Sequence, residues 1–135
     1  MADTVDTVTL FRGTTRCAVR LTNISDGTGE SAVVKVDKSA LAALLGITEP
    51  AKIIIEYMDW AIQGFASVRL HFDHTTDDEI AVLCGNGARD FTPFDGLVDP
   101  GSTGGTGDII LTTNGGGSGS TYDIFIVFGF SNATV

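Results

Sequence analysis

The densest group of titratable side chains in the sequence is Asp73-His74-Thr75-Thr76-Asp77-Asp78-Glu79. A turn so rich in carboxylates can wrap a hard cation such as calcium, which takes carboxylate and carbonyl oxygens as ligands. The ligand spacing of an EF-hand loop and its required glycine are both missing from this stretch. It reads instead as a solvated turn whose Asp side chains accept hydrogen bonds from nearby backbone amides. His71 and His74 stand three apart, which on a strand places them on opposite faces. No third and fourth ligand with zinc spacing accompanies them, so both are expected at the surface. No metal ligand and no cofactor is assigned.

Two glycine-rich stretches invite comparison with anion cradles. Gly101-Ser102-Thr103-Gly104-Gly105-Thr106-Gly107-Asp108 has no lysine, puts Asp108 where a cation is needed, and leads into a strand instead of a helix. It reads as a linker or loop tip. Asn114 to Ser120, NGGGSGS, is long for a hairpin and is expected to be mobile or ordered by contact. Cys17 and Cys84 lie in apolar runs without CxxC spacing and read as buried small hydrophobes, with a bridge as the alternative. There is no GxSxG elbow, and no nucleophile–base constellation stands out, so an enzyme is not expected. Trp60, Phe91 and Phe94 could form a sugar-binding platform, although such aromatics more often serve a core or a subunit contact. Asn23-Ile24-Ser25 and Asn132-Ala133-Thr134 match glycosylation sequons, as chance allows in a Ser/Thr-rich chain.

These residues sit in a chain of 135 residues, the length of one domain. A domain of that size buries roughly two-thirds of its unfolded surface and needs neither disulfide nor metal to hold a core. Hydrophobic residues make up 43% and charged residues only 19%, which favours covering part of the surface with another subunit. Seventeen acidic against eight basic residues give a net charge of −9. That sign disfavours DNA or RNA as a direct partner, because affinity there comes from cations displacing phosphate counterions. It suits solubility and docking on a basic protein surface. The start Met1-Ala2-Asp3-Thr4-Val5-Asp6 shows no signal-peptide pattern, and no apolar run approaches the ~20 residues of a membrane helix. Synthesis in a cytoplasm and no membrane partner are expected.

The dominant sequence period is two. Cys17, Val19 and Leu21 alternate with Arg16, Arg20 and Thr22, followed by turn chemistry over Asn23 to Glu30 and a short strand from Ala32 to Val36. Ser39 to Leu45 is the one helical candidate, capped by Asp37 or Ser39 and stopped by Gly46. Lys52 to Trp60, Phe65 to Phe72, Glu79 to Cys84, Asp108 to Thr113 and Thr121 to Phe130 read as further strands. Gly85-Asn86-Gly87 reads as a turn, and Phe91 to Val98 as an edge or packed loop. In the last strand Tyr122, Ile124, Ile126 and Phe128 form one row, but Phe125 and Val127 make the other row apolar too. About eight short strands with regular turns predict an all-β antiparallel sandwich or jelly roll with one short helix. Residues 1–10 are expected to form an extended arm able to add to a neighbour's sheet, and residues 11–135 the sandwich domain.

Several stretches resemble a class of small virion proteins of tailed bacteriophages: MADTVDTVTLFRG, AVRLTNISDGTGESAVVKVDKSAL, VRLHFDHTTDDEI, GGTGDIILTT and SGSTYDIFIVFGF. The similarity spans nearly the whole chain, and LTNISDGTGES…KVD is its most specific part. The polar ending FGFSNATV departs from the charged end, such as Arg-Lys, expected of the class. The resemblance implies a virion structural role, foremost as a capsid decoration (cement) protein on the phage head surface. Its implied partners are the major capsid protein and further copies of itself as a homotrimer. Contacts are expected from Thr4, Val5, Val8 and Leu10 on the arm and from the faces around Ile54, Met58 and Trp60. Deleting residues 1–10 is then expected to weaken capsid binding and leave the fold intact. A neck, tail or fibre-associated module is the alternative within the virion, and a carbohydrate-binding sandwich the alternative from another class.

Overall fold

The computed structural model describes residues 4–12, 16–45, 52–74, 76–94, 96–98 and 108–131. Among these, ten strands and one helix run in the order β1 (Thr4–Arg12), β2 (Arg16–Asp26), β3 (Val33–Val36), α1 (Lys38–Leu45), β4 (Lys52–Gln63), β5 (Ser67–Phe72), β6 (Asp78–Leu83), β7 (Asn86–Asp90), β8 (Leu97–Val98), β9 (Ile109–Asn114) and β10 (Ser118–Ser131). A 3-10 turn, Thr92–Phe94, lies between β7 and β8. The larger sheet has the order β1-β2-β10-β4-β7, with β8 also on β4, and the smaller has the order β3-β9-β5-β6.

Every pairing is antiparallel, and four of them nest: β2 with β10, β3 with β9, β4 with β7, and β5 with β6. A long double ribbon whose tip is the β5–β6 hairpin has been rolled so that its successive segments fall alternately into the two sheets. That is the jelly-roll arrangement. The expected all-β antiparallel sandwich is thus the observed architecture.

The core lies between the sheets and is built by two-residue alternation. Cys17, Val19 and Leu21 of β2, and Ile124, Ile126 and Phe128 of β10, face Val68, Leu70 and Phe72 of β5 and Ile109 and Leu111 of β9. On β4 a bulge opposite Val127 and Phe128 inserts one residue, so that both Ile55 and Met58 reach the core. Asp37 caps α1: its Oδ1 accepts hydrogen bonds from the backbone N–H of Ser39 (3.0 Å) and Ala40 (3.2 Å). These bonds, with one from the Ser39 hydroxyl, hold the Asp37 carboxyl below the usual carboxylate range.

The secondary structure and cysteines depart from the sequence reading in four places. Residues 4–10 belong to β1, paired with β2 from Thr4↔Ile24 to Arg12↔Cys17, so they form an edge strand of the domain and not a separate arm. Asn23 to Asp26 continue β2 instead of turning, because β10 supplies partners as far as Asp26. Asn86 and Gly87 open β7, leaving Gly85, at φ +60°, as the turn. Cys84 is exposed and unbonded, whereas Cys17 is buried as expected. Gly46, the stretch 101–107 and the second sequon lie outside the described residues.

Candidate functional site

Strand register places the outward row of each strand in the larger sheet on one continuous surface. Val8 stands beside Arg20, Arg20 beside Phe125, and Phe125 beside Asp59. One step along, Ala18, Val127, Tyr57 and Asp90 form the next row. Tyr57 and Phe125 meet edge to face with ring centroids 6.3 Å apart. Partial burial pushes the Tyr57 phenol above its ordinary range, helped by the nearby carboxylates of Asp59 and Asp90. Arg20 frames the aromatic pair with a two-pronged contact to Asp123, at 2.9 and 2.6 Å, which holds that carboxyl below its usual range. The result is a half-buried apolar strip bordered by charge.

The edge of this sheet is β1. Among the described residues its only strand partner is β2, so its opposite side carries backbone groups available for another strand. Val5 and Val8 are exposed, 44% and 41%, and no proline or lysine protects Thr4–Arg12 from added pairing.

The residues expected to make contacts do not share one surface. Val5 pairs with the inward-facing Asn23 and Val8 with the outward-facing Arg20, and the side chains of Thr4 and Leu10 lie outside the description. Ile54 points outward beside Gly129 and is half-buried, its Cγ2 lying 2.4 Å from where a Cβ on Gly96 would stand. Met58 is fully buried against Ile126, which corrects its assignment as a contact residue: the bulge turns it into the core. Trp60, opposite the buried Ile124, packs on the rim of the core. Its indole N–H donates to the Cys84 carbonyl at 3.2 Å, and Arg89 lies 5.9 Å from the ring centroid. Phe91 also packs against the core, and the side chain of Phe94 is not among those described.

In the acidic turn, the Asp77 Oδ1 accepts the His74 backbone N–H at 3.0 Å, an Asp-to-amide bond of the type expected there. Asp78 approaches the His74 Nε2 at 3.7 Å, and Glu79 pairs with Arg69 at 3.2 Å. His74 is buried, contrary to the surface position expected for it.

A buried polar cluster that sequence reasoning missed lies between the sheets. Lys35 of β3 contacts the Glu30 Oε2 at 2.5 Å, with both side chains almost wholly buried. The other carboxylate oxygen accepts from Asn23 Nδ2 (2.8 Å) and from the Tyr122 hydroxyl (2.5 Å). The Glu30 backbone is anchored to β9, donating to the Thr113 Oγ1 at 2.8 Å while its carbonyl accepts the Thr113 N–H at 2.9 Å. Lys35 reaches inward because the β3–β9 register shifts between Val34 and Val36, and a bulged residue is re-aimed. The one signal in the sequence was a charged residue inside an otherwise apolar short strand.

No protein-family model matches the chain, and neither does any curated protein or solved structure.

Proposed function

We propose that the chain is a virion structural protein of a tailed bacteriophage, a decoration protein that binds the outside of the head and bridges major capsid subunits. One observation supports this reading above the others: a half-buried apolar strip around Tyr57, Phe125 and Val127 is bordered by Arg20, beyond which the exposed Val8 stands on an edge strand with an open side. A strip of that kind is finished by contact with another chain, and an open edge by added β-pairing. The sequence resemblance supplies the virion, and the net charge of −9 suits a basic capsid surface. Jelly rolls serve capsid and lectin proteins alike, so the surface and not the architecture carries the argument. The lectin-like reading is the weaker, since Trp60 spends its N–H on Cys84 and packs against the core.

Copy number in purified particles tests the proposal. A head decoration protein, here a homotrimer, is present on the order of hundreds of copies, fixed by the symmetric repeat of the lattice it covers. Quantitative mass spectrometry that finds about a dozen copies moves the protein to the neck or tail, and none at all removes it from the virion.

A further inference from the structure

We propose that Lys35 and Asn23 become joined by an intramolecular isopeptide bond, with Glu30 as the catalytic residue, so that a covalent strut ties the two sheets together. This inference is independent of where the protein resides. Lys35 lies on the smaller sheet and Asn23 on the larger, with Glu30 between them in the connecting loop. The relevant geometry is a single carboxylate that spans the nucleophile and the leaving group. Its Oε2 sits 2.5 Å from the Lys35 Nζ, and its Oε1 sits 2.8 Å from the Asn23 Nδ2. Both distances are within the reach required for proton transfer.

The chemistry balances without any added reagent. The Glu30 Oε2 takes a proton from the Lys35 ammonium, a charge-annihilating step that a site poor in water favours. The neutral amine attacks the Asn23 side-chain carbon, Cγ, to give a tetrahedral intermediate. Glu30 then delivers its proton to Nδ2, the Cγ–Nδ2 bond breaks, and the new Cγ–Nζ amide sheds its surplus proton to the carboxylate. Ammonia departs with the proton that Lys35 brought, leaving as ammonium, and Glu30 ends as the carboxylate it was at the start. One C–N bond is broken and one is made.

Three features of the site favour this reaction over a static ion pair. Asn23 is 1% exposed and the Lys35 side chain 3%, so water competes poorly for the amide carbon. The Tyr122 hydroxyl and the Thr113 bonds hold Glu30 in place, which supplies the orientation that makes intramolecular attack fast. An open groove lined by Thr28, Gly29, Glu30, Thr112 and Thr113 gives ammonia a way out.

Intact-mass measurement of the purified full chain is the test. The expected mass is lower than that of the sequence by one ammonia. Trypsin should fail to cut after Lys35, and the loss should map to the fragment that carries both Asn23 and Lys35. Glu30→Gln and Lys35→Arg should each restore the full mass. A succinimide at Asn86-Gly87 or Asn114-Gly115 would also shed ammonia, so a loss mapped to either of those fragments overturns the proposal. A wild-type protein at its full sequence mass, with normal cleavage after Lys35, overturns it as well, and that reading requires no variant to fold.

Discussion

At the residue scale, Glu30 carries the largest consequences of any side chain described. It answers a buried ammonium, a buried amide and a buried phenol at once. Removing one partner of a buried pair strands the other charge, which costs about 3–5 kcal/mol. Glu30→Ala with Lys35→Met is therefore expected to be more stable in urea titration than Glu30→Ala alone, by up to that amount. Both variants lack the carboxylate, so the comparison isolates the stranded charge. Asp37 offers a milder test at the start of α1. Replacing this cap by Ala should cost about 1 kcal/mol in the same titration. Its carboxyl is lowered in the folded state, so its contribution is full above the unfolded value of about 3.9 and is lost as pH falls through the lower folded value. Stability of the wild type minus that of Asp37→Ala should therefore be flat near neutrality and shrink only in strong acid.

At the scale of elements, β1 changes what truncation means. It pairs with β2 over nearly its whole length, so deleting residues 1–10 removes an edge strand and uncovers β2. The truncated protein is expected to melt at a lower temperature and to associate more readily, and an unchanged melting curve would show β1 to be dispensable to the fold. Gly64 marks another element boundary, where β4 ends at φ +91° and an added Cβ would meet the Ser120 Oγ at 2.4 Å. Gly64→Ala should destabilise by more than about 1 kcal/mol, because it combines a left-handed backbone with a clash. The inner rows of β2, β5 and β10 were legible in the sequence, since apolar residues recur there at every second position, most cleanly in β5. Met58 was misplaced and Lys35 overlooked for a common reason: Met58 follows a bulge and Lys35 is the bulged residue of another, and bulges shift the two-residue count without leaving a mark in composition. Asn23 to Asp26 has turn-forming residues yet continues a strand, because pairing with both β1 and β10 outweighs local preference. The outer strip was half legible, as an apolar second row in β10 without the register that sets Tyr57 against Phe125.

At the scale of the whole molecule, the rolled ribbon buries one face of each sheet and leaves the broad face of the larger sheet to whatever it meets. Two forces act on that meeting, and they separate in kinetics. Under the proposed decoration role, a charge of −9 would steer the protein toward a basic lattice and set the rate of encounter, whereas apolar contact would set the rate of departure. Rebinding to stripped particles should therefore slow as salt rises, with little change in the rate at which bound protein leaves. Phe125→Asp should do the reverse: it removes half of the aromatic pair and puts a further carboxylate beside Asp59 and Asp123, so the bound protein should leave at least about tenfold faster, which corresponds to roughly 1.4 kcal/mol. Phe125 is only half-buried on the outer face, so the circular-dichroism spectrum of the variant should match the wild type. Unchanged departure of a folded Phe125→Asp protein would move the contact off this face, with β1 the next surface to probe.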